Sequence, residues 1–122
     1  MNATAPNHQS ETAPLDIETI KSAAQDVITN GAKIEDVDEL ETIILLLRGM
    51  IMLLIPEVEA DLARYAKSNT AAVGARAGVQ EARIRAHAVP GSSIPELVGH
   101  AQRLARGVLA LIRHHEKLGG AA

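Results

Sequence analysis

Apolar residues recur along this chain at the three-and-four spacing of helices, in four successive stretches separated by turn-forming residues. The first stretch carries Ile17, Ile20, Ala24, Val27 and Ile28 on one face. Asp16 is placed to cap it, and Asn30-Gly31 to stop it through the left-handed conformation both tolerate. The second begins at Asp36, with Glu39 in capping-box register, and is expected to reach about Lys67, roughly 45 Å at the helical rise. Its middle, Ile43–Leu47 and Met50–Ile55, is apolar almost all round, as in a helix central to a bundle or shared with a second subunit. Pro56 removes a backbone donor and predicts a kink or restart there. The third helix, about Ala71–Ala88, is thin: Gly74, Gly78 and Ala82 recur every four residues and suggest close packing against the second. In the fourth, Ser93 and Glu96 form a capping box with Pro95 in the first turn, and the helix runs to about Leu118. Leu97, Ala101, Leu104, Val108, Leu111, His115 and Leu118 form its inward stripe, opposite Arg103, Arg106, Arg113 and Lys117.

Short connections between such helices favour antiparallel neighbours. The expected fold is all-α, an antiparallel four-helix bundle-like domain with a long, Pro-kinked central second helix. Residues 15–119 form the single domain, 1–14 a flexible N-terminal tail and 120–122 a flexible C-terminal end.

Composition supports this reading. Apolar types make up 47% of the 122 residues, yet Tyr65 is the only aromatic side chain, so the core must be aliphatic. Sheets favour aromatic and β-branched mixtures, whereas packed helices are served by Leu, Ile, Val and Ala. The absence of cysteine removes disulfides, thiolate metal sites and thiol nucleophiles. No cationic, apolar leader opens the chain, and the apolar run Ile43–Ile55 is shorter than the roughly 20 residues a membrane span needs. A cytoplasmic protein without a membrane partner is expected.

Charge is divided unevenly. Residues 1–61 hold twelve acids against three bases, and residues 62–122 hold nine bases against three acids. The halves are expected to attract each other, within the chain or across a dimer. A nucleic-acid-binding basic face is the less favoured alternative, because no aromatic side chain is available to stack on bases.

Arg48 is the most conspicuous single residue, a guanidinium inside the apolar run. Unpaired burial would be very costly, so it needs a solvent edge, a carboxylate such as Glu81, or a ligand anion. Glu41, Met52 and Glu59 share its helical stripe. Arg48, Met52, Glu59 and His100 are therefore the candidate ligand-binding residues. Arg48, Glu57, Glu81 and His115 are the candidate catalytic ones. His115 lies on the apolar stripe in the last turn, where a histidine either serves as acid or base or sits favourably at the negative end of the helix. Glu96 and His100 are one turn apart and can interact. His100 and His114 are about 21 Å apart along the helix, too far to share a metal, and no HExxH or phosphate-loop signature occurs. Neither a metal nor a cofactor is expected.

Leu47-Arg48-Gly49, Leu54-Ile55-Pro56-Glu57-Val58-Glu59, Glu81-Ala82-Arg83, Leu104–Leu111 and His115-Glu116 together resemble a family of small actinobacterial proteins labelled as natural-product biosynthesis proteins. The resemblance covers roughly residues 38–118. It departs at Met50, where a polar residue or histidine is expected, and at Arg113-His114-His115-Glu116. It implies biosynthetic context, antibiotic production included, and brings no catalytic residue with it. The expected function is an accessory or interaction protein, homodimeric, binding an apolar intermediate or a partner protein. The alternatives are a small cofactor-independent cyclase or isomerase, and a nucleic-acid-binding regulator.

Overall fold

A computed structural model describes residues 15–119; the expected tail 1–14 and end 120–122 lie outside the described residues. Four helices follow in order: α1 Ile17–Asn30, α2 Val37–Leu62, α3 Thr70–His87 and α4 Ile94–Lys117. They pack together as an all-helical bundle around an aliphatic core.

Capping chemistry sets the helix starts. Asp16 accepts from the Thr19 amide and Asn69 from the Ala72 amide, each satisfying an otherwise orphaned donor. Ser93 and Glu96 form the reciprocal box expected from their spacing. At Asp36 the box does not form: the carboxylate turns to the Asp38 amide instead of the third residue on. The left-handed stop expected at Asn30-Gly31 is also absent. Both residues stay right-handed, and the chain tightens into a single 3-10 turn, Gly31–Lys33. Gln102 of α4 secures this end by donating to the Ile28 carbonyl (3.3 Å).

α2 runs unbroken through Pro56 instead of restarting there, and ends at Leu62, short of the expected Lys67. The segment after it turns back and is fastened by its side chains. Tyr65 donates its hydroxyl proton to the Leu118 carbonyl (2.6 Å), and Arg64 reaches the same oxygen (3.3 Å).

The hub is α4 rather than α2. α4 packs against each of the other three helices, so its buried arc is wider than one stripe and takes in His100, Ala105, Gly107 and Ile112. α2 buries Leu40, Ile44, Leu47, Ile51, Leu54, Ile55, Val58 and Asp61, while Leu45, Leu46, Met52 and Leu53 lie exposed. Its apolar surround is therefore not enclosed within one chain. α3 buries Ala72, Ala75, Val79, Ala82 and Ala86 against α4 and α2, leaving Gly74 on the open side. The close approach occurs at Gly78 alone and to α4: a β-carbon there would lie 2.6 Å from the His114 Nε2.

The acidic and basic halves meet within the chain. Arg83 of α3 pairs with Glu59 of α2 (2.7 Å), and His115 of α4 pairs with Asp61 of α2 (2.5 Å). Among the described residues, no helix is long and apolar enough to cross a membrane.

Candidate functional site

Glu41, Ile44, Leu45 and Arg48 fall at i, i+3, i+4 and i+7 along α2, so their side chains share one face. That face forms one wall of a cleft of about 430 Å³; Val89-Pro90-Gly91-Ser92 and Leu97 form the other. The size suits a small organic molecule. Arg48 is half-buried in this wall. Its Nη2 donates to the Ala88 carbonyl (3.0 Å), which ties α2 to the α3–α4 connection. Its Nε is buried without a hydrogen-bond partner. Among the described residues no carboxylate lies within ion-pair distance of it, because Glu81 is taken by Arg85 (3.2 Å) and Glu59 by Arg83. The expected ion pair with Glu81 is therefore not made. Arg48 lies at a half-buried edge, in the wall of the cleft, without a carboxylate partner among the described residues.

His100 of α4 is 3% exposed, and its Nε2 is likewise buried without a partner among the described residues. Its pKa is lowered, first by burial, then by the positive charges of Arg48 and Arg103. The Arg48 guanidinium thus lies close enough to disfavour the protonated form of the His100 imidazole. The expected contact between His100 and Glu96 is not made, since the Glu96 carboxylate accepts from Ser93 (2.8 Å).

The pKa of His114 is also lowered, chiefly by burial, then by Arg113 and Lys117. Both depressed values disfavour protonation of the folded state. As pH falls through about 6.5, the unfolded chain takes up more protons than the folded one. The stability these two groups allow is thus complete above that pH, and it declines below it until the folded-state values are passed. The lowered values of exposed Asp16 and Glu96, due to Thr19 and Ser93 respectively, act only at more acid pH. Urea midpoints are expected to fall between about pH 7.5 and about pH 5.5, and a His100→Gln, His114→Gln chain should show a flatter profile. A midpoint that rises on acidification contradicts this assignment.

The remaining candidates are dispersed. Met52 is half-exposed on the outer side of α2, and Glu57 is exposed further along the same helix. Nine residues separate Arg48 from Glu57, about 14 Å along the axis, and His115 sits lower still, beside Asp61. The structure therefore does not assemble Arg48, Glu57, Glu81 and His115 into one site, nor Met52 and Glu59 with the Arg48 cleft.

One polar cluster was not anticipated. The Nδ1–H of His115 donates to the Asp61 carboxylate (2.5 Å), which also accepts from Arg64 (3.3 Å). Asp61 is 3% and His115 8% exposed. Continuing the three-and-four spacing of the buried α2 stripe past Val58 lands on Asp61, and a carboxylate in a core register needs a donor opposite it. A second, smaller groove of about 180 Å³ lies between α1 and α2, lined by Ala23, Asp26, Val27, Ile43, Leu46, Leu47 and Met50. It offers no cation.

The chain belongs to a family of unknown function (DUF6415), which matches residues 18–120. Comparison with curated proteins and with solved structures gives no match.

Proposed function

We propose that the protein is a small accessory protein of a bacterial biosynthetic pathway, which holds an apolar molecule bearing a carboxylate in the Arg48 cleft. One observation carries the binding role: a half-buried guanidinium, anchored through Nη2 and with no carboxylate in ion-pair distance among the described residues, lines a cleft with an aliphatic wall. A carboxylate placed against the accessible part of that guanidinium would make a charge-assisted contact, while Ile44, Leu45, Val89 and Leu97 cover the apolar body. The biosynthetic context rests on the resemblance of Leu47-Arg48-Gly49 and Leu104–Leu111 described above.

Octanoate is a suitable probe. Partial burial of its chain at about 0.8 kcal/mol per methylene, less the cost of association, points to weak binding, millimolar at best, in so open a cleft. Arg48→Met should weaken binding about tenfold, or about 1.4 kcal/mol, with the helical circular dichroism unchanged. Equal affinity of both chains in calorimetry would remove Arg48 from the site.

An acid–base enzyme is less well supported. His115 is buried, its Nδ1 is bound to Asp61, and neither cleft described above is lined by it. The nucleic-acid reading is weakened because basic side chains of α3 are engaged in the fold: Arg76 on the Lys67 carbonyl, Arg83 on Glu59 and Arg85 on Glu81.

A further inference from the structure

Gly49 occupies the middle of α2 and is exposed, and a β-carbon added to it would meet nothing within 4 Å. Glycine is among the least favourable residues in a helix interior, and no contact inside the chain requires a bare backbone here. The residues around it are large and apolar. Leu45 is 64%, Leu46 58%, Met52 50% and Leu53 54% exposed. They stand at −4, −3, +3 and +4 from Gly49, so the exposed strip is the same read in either direction. Gly74 of α3 is equally open, but Thr70, Ala71, Ala77 and Gly78 at the same offsets supply no apolar ridge.

A strip symmetric about its centre is what an isologous interface demands, since each residue must meet its counterpart under a two-fold rotation. We propose that a second copy of this chain docks on this face, α2 antiparallel to α2, with the two-fold axis passing through Gly49. Leu45 then meets Leu53 of the partner subunit, and Leu46 meets Met52 of the partner subunit. The bare Gly49 lets the two backbones approach at the crossing.

Two features set the strength and angle of this contact. Four half-exposed side chains offer on the order of 400 Å², about half of what each partner contributes to a standard interface, so the dimer is a weak, concentration-dependent one. Glu41 precedes the strip and Glu57 follows it, at −8 and +8 from Gly49, and both are exposed. In an antiparallel pair Glu41 approaches Glu57 of the partner subunit, and this repulsion favours a steep crossing, near the 50° class, that splays the helix ends. Added salt screens these like charges and strengthens the dimer, the reverse of an association built on opposite charges. Leu45 lines the Arg48 cleft and also lies on this strip, but only ligand binding needs the guanidinium, so Arg48→Met separates loss of octanoate binding from loss of self-association.

Because the chain contains no cysteine, single-cysteine variants report on this geometry cleanly. At an axis separation of about 9–10 Å, Cα atoms on the two-fold axis, each about 2.3 Å from its helix axis, stand about 4.4–5.4 Å apart and lie within disulfide reach. Under mild oxidation Gly49→Cys should give mostly linked dimer on a non-reducing gel. Leu45→Cys alone and Leu53→Cys alone should stay largely unlinked, whereas their mixture should link. Light scattering of the unmodified chain should show a mass rising from 12.9 kDa towards twice that value with concentration, and further with salt. All three substituted positions are exposed, so circular dichroism should remain native. A fixed monomer mass, or linkage of Leu45→Cys with itself as readily as of Gly49→Cys, overturns the proposal. So does capture of a different protein on this face with no self-linkage.

Discussion

Replacing Asp61 with alanine is expected to lower the unfolding free energy by roughly 3 kcal/mol, the upper end of the cost of leaving a buried hydrogen-bonding group without its partner. The carboxylate is 3% exposed and receives the Nδ1–H of His115, itself 8% exposed. Its loss leaves that donor buried without an acceptor, and the full desolvation of the imidazole is then uncompensated. Arg64 contributes little to this sum, since its side chain is 54% exposed and its pairing with Asp61 is screened by solvent. Asp61→Asn keeps an acceptor oxygen and should lose less, about 1–2 kcal/mol. Asp61→Leu combined with His115→Leu removes both polar groups and should recover most of the loss, because apolar replacements of a buried pair are often neutral or better. Urea denaturation of these variants beside the unmodified chain checks the set. A loss under about 0.5 kcal/mol for Asp61→Ala, the range of ordinary surface substitutions, would mean that the pair is not buried as described.

The second large effect is expected at Leu104, a fully buried residue of the hub helix. α4 contacts α1, α2 and α3, so a cavity on its core face is bordered by more than one helix and cannot be closed by shifting a single neighbour. Leu104→Ala should therefore cost about 3–4 kcal/mol, within the range for buried leucines that collapse poorly. For a domain of this size the Tm should fall by about 12–20 °C in a thermal scan. Leu45→Ala, at 64% exposure, should shift it by no more than a few degrees in dilute solution. Equal shifts for the two substitutions would contradict the assignment of α4 as the hub.

Much of the fold was legible because helix starts depend on local chemistry. Asp16, Ser93 and Glu96 cap as their spacing requires, and the α4 stripe from Leu97 to Leu118 is buried as read. Helix ends were harder. Asn30-Gly31 permits a left-handed stop without compelling one, and the tighter turn chosen lets Gln102 reach the Ile28 carbonyl, a partner far away along the chain. The wider burial of α4 was hidden for a similar reason: periodicity shows that a face is apolar, but not how many neighbours cover it.

The site was legible in one residue. Arg48 stands out as a cation in an apolar run, and in the structure it lines a cleft. Its grouping with Met52 and Glu59 failed because a shared helical stripe is long, and different helices cover different parts of it. Glu59 meets Arg83 of α3, while Arg48 faces the connection at Ala88. Asp61 went unseen because its acidic neighbours Glu57 and Glu59 suggest a solvated helix segment, yet its register with Leu54 and Val58 carries it inward.

The central claim, that this chain binds an apolar carboxylate at Arg48, is tested most directly by following backbone amides in two-dimensional NMR while octanoate is added to the full chain. Saturable shifts concentrated at residues 41–48 and 88–97, and largely lost in Arg48→Met, are the predicted result. Shifts confined to the groove between α1 and α2, or the same response in Arg48→Met, would contradict it.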